Sequence, residues 1–203
     1  MYFSSSSAIY GPHDKKLDID GILDGVVKEK FKAIYLLGAD EIDMSKLKNA
    51  FVIYQGHHGD IGASNADVVL PGAAYTEKNA TYVNTEGRVQ HSTLATFPPG
   101  DAKEDWAIIR ALSDFLNIKL PYNNLHEVRE RMSEINSIFR NIGIPKLADW
   151  GNFGTNKRVL SDDFNPHIKN YYMTDPIGRS SVTMAKCTNE LTSVKLGKIP
   201  KNV

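Results

Sequence analysis

Three short apolar runs, each ending at a glycine, constrain the fold of this 203-residue chain more than any other feature. They are AIYLLG (33–38), FVIYQG (51–56) and ADVVLPG (66–72). Continuous runs of this kind, rich in β-branched and aromatic residues, are typical of strands that are buried on both faces of a parallel sheet. The chain is therefore expected to build its core around such a sheet.

A helix is predicted before the first run, with Asp18 or Asp20 placed to cap its first turn. The segment SKLKN, between the first two runs, suits a short helix. The order helix, strand, helix, strand predicts right-handed crossovers, and so an α/β fold with a mostly parallel sheet and flanking helices. The apolar residues of the first helix recur at helical spacing and are Ile22, Leu23, Val26, Val27 and Phe31.

A β-hairpin is predicted to follow the third strand. That strand is expected to stop at Pro71, because proline has no amide hydrogen to donate to a sheet. Further on, TYVNT (81–85) and RVQHS (88–92) flank Glu86 and Gly87. Glycine readily adopts the positive φ that a tight turn requires, so this pattern indicates a hairpin appended to the sheet.

Residues 101–143 are predicted to form a helical pair. Asp101 and Glu104 have the spacing of a capping box at the start of the first helix. The second helix is expected to begin near Asn124 and to end at Gly143. The apolar faces are Trp106, Ile109, Leu112 and Leu116 in the first helix, and Leu125, Val128, Met132, Ile135 and Phe139 in the second.

The composition changes beyond residue 148, where Asn, Gly, Ser, Thr and Pro predominate. The scattered apolar residues are too few for a separate core, so we predict an extended tail over 149–203 that packs on partners. Residues 17–148 then form one α/β domain, and residues 1–16 form a leader. The larger apolar residues of the tail are Phe153, Phe164, Tyr171, Tyr172 and Met173.

Bulk composition excludes several classes of function. Lysine and arginine (24) balance aspartate and glutamate (24), which argues against a nucleic-acid partner. No run approaches the roughly 20 apolar residues of a membrane span, so membrane contact is expected only indirectly, through a larger assembly. Cys187 is the one cysteine, whereas an iron-sulphur cluster normally takes four, so no cluster is expected on this chain.

The densest polar group is GHHGD (56–60), which follows the second predicted strand. Open α/β sheets bind ligands at this edge. His57 and His58 are poor metal ligands, because adjacent side chains diverge and no third histidine or cysteine has ligand spacing. The favoured interpretation is that His57 and His58 are hydrogen-bonded histidines in a loop that also contains Asp60.

The turn GADE (38–41) follows the first strand and lacks the G-x-G-x-x-G fingerprint of nucleotide-binding loops. Asp40 or Asp43 as a helix cap is therefore favoured over contact with a nucleotide. No catalytic and no metal-binding residue is predicted. The low-ranked candidate for cofactor binding comprises Gly38, Asp40, His57, His58 and Asp60.

Charged residues also cluster around the predicted hairpin, as Glu77, Glu86, Arg88 and His91. Exposed charges at hairpin ends are usually solvated or paired with a neighbour. We therefore do not interpret them as acid-base partners.

Residues 66–90, ADVVLPGAAYTEKNATYVNTEGRVQ, resemble the signature of the molybdopterin oxidoreductase superfamily. That signature reads roughly ADVVLPAA, an acidic-Lys pair, and a threonine-aromatic hairpin with N-T-E-x-R. Within the superfamily, residues 72–78 and the segment YYMTDPIGRSSVTMAKC (171–187) are similar to the large iron-sulphur subunit of mitochondrial-type NADH:ubiquinone oxidoreductase, complex I. The resemblance extends from about residue 17 to residue 187.

This resemblance implies a domain that kept the molybdoenzyme fold and lost the molybdenum cofactor. The turns that contact the pterin nucleotide in molybdenum relatives, of Gly-x-Asn-Pro and Gln-Asp type, read here as residues 38–41 and 55–58, and they differ. We therefore expect a structural, non-redox chain without a cofactor. The alternative is an enzyme subunit that retains a molybdopterin or nucleotide cofactor.

The resemblance also implies partners and a location. The iron-sulphur clusters are expected on a separate chain that carries the cysteine-rich N-terminal region, together with other complex I subunits. The chain resembles about the last third of the usual subunit, so the subunit is expected to be either split or truncated. The expected location is the matrix side of the mitochondrial inner membrane, and Met1 without a transit-like helix suits synthesis inside the mitochondrion.

Overall fold

The computed structural model of the chain describes residues 19–145, 151, 168 and 170–194. Two compact units make up the chain, Met1–Ala148 and Asp149–Val203. The predicted leader 1–16, the possible cap Asp18, and the tail residues Phe153 and Phe164 lie outside the described residues.

A three-stranded parallel sheet forms the centre of the first unit. Its strands are β1 (Ala33–Leu37), β2 (Phe51–Gly56) and β3 (Val68–Pro71), in the order β1-β2-β3. The register pairs Ala33 with Phe51 in the first ladder and Ile53 with Val68 in the second. The predicted parallel strands and the α/β class are thereby confirmed.

One face of the sheet packs against short helical elements. These are α1 (Ile19–Val27), a 3₁₀ helix (Met44–Leu47) between β1 and β2, and α2 (Ile61–Ser64) between β2 and β3. Burial of apolar side chains between these layers is the main stabilising contribution. The buried core consists of Leu23, Val26, Leu36, Met44, Leu47, Val52 and Tyr54.

Helix α1 ends earlier than its apolar pattern predicts. Phe31 was expected on the helix face, but the helix ends at Val27 and Glu29 adopts a φ of 56°. The chain reverses there, and the amide of Phe31 donates to the carbonyl of Gly25 at 3.2 Å. The Phe31 ring then occupies the space beside Gly25, so its apolar contact is made from outside the helix.

Strand β3 stops at Pro71, as predicted. The ladder with β2 closes where the amide of Gly72 donates to the carbonyl of Gly56 at 2.8 Å. On the other side of β3, Lys103 donates to Pro71 at 3.1 Å and accepts from Ala73 at 2.8 Å. A short extended segment thus lies beside the end of β3.

The hydrogen bonds of Lys103 to the end of β3 explain why the first of the two predicted helices begins at Asp105 and not near Asp101. Helix α3 spans Asp105–Phe115, and the side chain of its N-cap residue, Glu104, makes no capping hydrogen bond. The Glu104 carboxylate instead accepts from the amide of Asn79 at 3.0 Å and from the Trp106 indole at 2.6 Å. The expected capping box with Asp101 is therefore wrong, because Glu104 is bonded elsewhere.

The hairpin and the start of the second helix agree with the sequence pattern. Strands β4 (Ala80–Val83) and β5 (Val89–Ser92) are antiparallel, and Gly87 has a φ of 82°. Helix α4 (Leu125–Ile135) begins at Asn124, whose side chain accepts from the Glu127 amide at 3.0 Å. The predicted end of that helix at Gly143 is wrong, because Asn136 leaves the helical conformation with a φ of −145° and its side chain caps a separate 3₁₀ helix. This 3₁₀ helix (Ser137–Arg140) carries the buried Phe139.

The described part of the second unit is helical. It contains a 3₁₀ helix (Tyr171–Met173), α5 (Pro176–Ser180) and α6 (Val182–Val194). Asp175 caps α5 by accepting from Ile177 and Gly178, each at 2.9 Å. An extended conformation was expected here from the low apolar content, and over α5 and α6 that expectation is wrong, because local capping and helical hydrogen bonds require no large core.

Among the described residues, no helix has both the length and the apolar character that a membrane span requires.

Truncating the core at Leu47 should destabilise the first unit, because its side chain is almost fully buried among α1, β1 and β2. We expect Leu47→Ala to lower the unfolding free energy by about 3 kcal/mol. Leu116→Ala, at an exposed position after α3, is the matched control and should cost less than about 0.5 kcal/mol. Urea unfolding of the full chain, followed by circular dichroism, measures both, and equal losses would contradict this core assignment.

Candidate functional site

The two predicted turns meet at the carboxyl edge of the sheet. Gly38 follows β1 with a φ of 60°, and its amide donates to the carbonyl of Gln55 in β2 at 2.7 Å. Asp40 is buried beside Gly62, where an added Cβ would lie 2.7 Å from the Asp40 Cβ. The turn after β1 and the start of α2 are therefore in direct contact.

Gln55 is the centre of this edge, and it was not among the candidate site residues predicted from the sequence. Its side chain is fully buried, although it is polar. The Gln55 Oε1 accepts from the Tyr35 hydroxyl, and its Nε2 donates to Asp105 Oδ1 at 2.9 Å. A buried amide must be bonded in this way, so a glutamine inside an apolar run was the available signal.

Asp105 extends this network to the segment after β3. Its Oδ2 forms an ion pair with the ammonium of Lys78, whose side chain is largely buried. Burial raises the pKa of the Tyr35 hydroxyl, and the nearby Asp105 carboxylate raises it further. Tyr35, Gln55, Asp105 and Lys78, here called the Gln55 network, thus join β1, β2, α3 and the approach to the hairpin.

His57 and His58 face each other rather than a shared ligand. Their Nδ1 atoms are 2.6 Å apart and the rings are perpendicular. At this distance one Nδ1 must donate a hydrogen bond and the other must accept it, so the two Nδ1 atoms cannot both carry a proton. Burial lowers the pKa of His57, the His58 and Lys78 charges lower it further, and Asp105 and Glu77 oppose this shift.

The remaining candidate residues have structural partners. Asp60 Oδ1 accepts from the Ile61 amide at 2.8 Å and caps α2. Of the two possible caps of the next helix, Asp43 is the one observed, since it accepts from the Ser45 amide at 3.1 Å. The hydrogen bonds from Ser45 lower the pKa of Asp43.

The edge does not fit an anionic pterin nucleotide. The Tyr54 side chain fills the space over two glycines, since an added Cβ would lie 2.5 Å from its hydroxyl at Gly56 and 2.7 Å from its ring at Gly62. The neighbouring acidic side chains would repel a pyrophosphate, and the ammonium of Lys78 is already paired. The acidic residues around this edge are Asp40, Asp60, Glu77 and Asp105.

Over the described residues, no group of three or more histidine, cysteine, aspartate or glutamate side chains is arranged to hold a metal ion.

The hairpin charges are separated in space. Glu86 pairs with Arg88 at 2.6 Å, and Arg88 donates to the Gly143 carbonyl, also at 2.6 Å. The hydrogen bond from Arg88 lowers the pKa of Glu86. Glu77 lies instead in the segment after β3, where it accepts from the Ala74 amide at 2.9 Å. These residues therefore do not form one acid-base site.

His91 lines a separate cavity of about 80 Å³ between the hairpin and α4. Burial lowers its pKa, and the guanidinium of Arg129 lowers it further. The same guanidinium donates to the Thr81 hydroxyl at 3.2 Å, so it joins the two elements. The other lining residues are Met132, Phe139 and Ile142.

Comparison with known protein families gives two matches along the chain. Residues 12–115 match the family described as molybdopterin oxidoreductase. Residues 148–187 match the family described as the C-terminal region of the NADH-ubiquinone oxidoreductase G subunit. Both resemblances expected from the sequence are thereby confirmed.

Individual relatives are about half identical. The chain is 50% identical to the NADH-ubiquinone oxidoreductase 78 kDa subunit, mitochondrial, of Candida albicans, over 84% of this chain and 25% of that protein. It is 48% identical to the NADH-ubiquinone oxidoreductase 75 kDa subunit of Reclinomonas americana, over 77% and 23%. The NADH-ubiquinone oxidoreductase 78 kDa subunit, mitochondrial, of Neurospora crassa is 45% identical, over 80% and 23%. The chain thus spans about a quarter of the length of these relatives.

Removing the amide of Gln55 should destabilise the strand ends. In Gln55→Leu the volume is kept, but Tyr35 and Asp105 lose a buried partner, which we expect to cost about 1–3 kcal/mol. Gln90→Leu, at an exposed position of β5, is the matched control and should change stability by less than about 0.5 kcal/mol. Equal urea midpoints for Gln55→Leu and the parent chain would contradict this role.

Acidification should destabilise the first unit. The folded-state pKa of His57 and that of His91 lie below the ordinary value of 6.5, so near and below that pH the unfolded state binds more protons. Stability is then highest above pH 6.5 and falls as the pH is lowered towards the depressed values. Urea midpoints between about pH 7.5 and 5.5 measure this slope. His57→Gln and His91→Gln should each flatten it, and slopes unchanged in both variants would show that these residues do not cause it.

Proposed function

Because this chain belongs to the molybdopterin oxidoreductase family, we propose that it is a structural, non-redox part of the large iron-sulphur subunit of respiratory complex I. The observation that carries this proposal is the tandem order of the two family matches, molybdopterin oxidoreductase followed by the C-terminal region of an NADH-ubiquinone oxidoreductase subunit. Relatives about half identical over most of the chain, all named as NADH-ubiquinone oxidoreductase subunits, support it.

Cysteine content supports a role without redox chemistry on this chain. An iron-sulphur cluster is normally held by four thiolates, and the sequence has Cys187 as its one cysteine. We propose that the electron-carrying clusters are held by another polypeptide of the complex. We infer that the two together make up one subunit of the peripheral, NADH-oxidising arm.

The bonding of the strand ends supports a role without a pterin or nucleotide cofactor. The Gln55 network uses its amide, carboxylate and ammonium groups within the protein. The Tyr54 side chain fills the space beside Gly56 and Gly62. At the edge where other open α/β sheets bind ligands, these groups hold the strands and α3 together.

The location follows from the same proposal. Two of the relatives are named as mitochondrial proteins, from Candida albicans and Neurospora crassa. We infer that this chain lies on the matrix side of the mitochondrial inner membrane. Contact with the membrane is then indirect, through other subunits of the complex.

Native purification tests the proposal. We expect this chain to co-migrate with NADH dehydrogenase activity in a native gel, beside a polypeptide that matches the cysteine-rich remainder of the relatives by mass spectrometry. A chain found entirely free and monomeric would overturn membership of the complex.

Metal analysis separates the structural role from the alternative, an enzyme subunit that retains a molybdopterin or nucleotide. Fractions containing this chain should hold iron and no stoichiometric molybdenum or tungsten. Either metal in a one-to-one ratio with the chain would overturn the non-redox assignment and favour the alternative.

A further inference from the structure

The second face of the parallel sheet is apolar and open. In a parallel ladder, register partners place their side chains on the same face, so the pairing of Ala33 with Phe51 and of Ile53 with Val68 defines this face. Leu37 and Phe51 are each 49% exposed, and Val68 is 37% exposed. We call this surface the open sheet face, and it consists of Ala33, Tyr35, Leu37, Phe51, Ile53, Val68 and Leu70.

The opposite face of the sheet is buried, in contrast to the open sheet face. On that side Leu36, Val52 and Tyr54 are each at most 6% exposed, because α1 and the 3₁₀ helix cover them. On the open side, Gln55 is the residue that is fully buried, and it is covered by the Gln55 network rather than by apolar packing. The apolar side chains nearby have no comparable cover within the described residues.

Such an open face indicates a missing layer. Strands of parallel sheets are apolar on both sides because helices normally cover both faces, and an exposed contiguous apolar patch marks an interaction surface. Strand β3 is exposed on both sides, at Val68 and Val69, so the missing layer reaches the edge of the sheet. Aromatic and branched apolar side chains of this kind accept the apolar stripe of an amphipathic helix.

The lengths of the relatives indicate where that helix comes from. This chain spans 25% of the Candida albicans relative, so about three quarters of that polypeptide lies outside it. We propose that the open sheet face binds an amphipathic helix of the polypeptide that carries this remaining sequence. The inference rests on the proposed function and adds to it the surface through which the two polypeptides join.

Hydroxyl-radical footprinting of the native assembly and of the isolated full chain tests which surface is covered. The side chains of Phe51 and Leu37 should react in the isolated chain and be protected in the assembly, with cross-links from the adjacent Lys32 to the cysteine-rich polypeptide. Protection already present in the isolated chain, or cross-links to a second copy of this chain, would overturn the proposal.

A substitution pair tests whether the face contributes to binding. Phe51→Ser should weaken capture of the cysteine-rich polypeptide by the full chain by about tenfold or more, since aromatic residues dominate such interfaces. Phe97→Ser, at a loop position 85% exposed, is the matched control and should bind as the parent does. Circular dichroism checks that both variants fold. Unchanged binding of Phe51→Ser, or equal loss in both variants, would contradict the assignment.

The two proposals fail in different ways. If the chain co-migrates with the NADH dehydrogenase but Phe51 stays reactive in the assembly, the surface assignment is wrong and the proposed function stands. If the chain is free in the cell, the proposed function is wrong, and the helix-binding assignment is wrong with it.

Discussion

The arrangement of the strand ends depends on the hydrogen bonds of the buried Gln55 amide. This amide lies in the middle strand, accepts from Tyr35 in β1 and donates to Asp105 at the start of α3. Asp105 in turn pairs with Lys78, which lies between β3 and the hairpin. Segments far apart in sequence are therefore joined through one side chain, and a buried polar group of this kind is costly to leave without its partners.

This network also engages polar side chains at the carboxyl edge of the sheet. Open α/β sheets offer backbone amides and glycine turns at their carboxyl edge, and this chain has a glycine turn there, at Gly38. The Tyr54 side chain fills the space beside Gly56 and Gly62, and the carboxylate of Asp105 bonds to Gln55 and Lys78. The polar side chains at this edge thus link structural elements to one another.

Much of the fold was predictable, because strands, turns and caps are encoded locally. The three strands, the glycine turn of the hairpin and the Asn124 cap each depend on residues close together in sequence. The predicted capping box at Asp101 was wrong because the Glu104 carboxylate bonds to the amide of Asn79, a residue far from it in sequence. The prediction of an extended tail was wrong for a different reason. Low apolar content indicates the lack of a core, but it does not exclude short capped helices such as α5.

The candidate site likewise has features that are encoded locally and features that depend on residues far apart in sequence. The sequence by itself determined the class of fold, the family resemblance and the clustering of Gly38, Asp40, His57, His58 and Asp60 at strand ends, because periodicity and turn residues act locally. Only the tertiary structure decided that His57 faces His58, that Asp60 is a cap, and that Gln55 is the central group. These outcomes depend on which distant groups share a buried space, and hydrogen bonding and desolvation in that space are set by the packed fold.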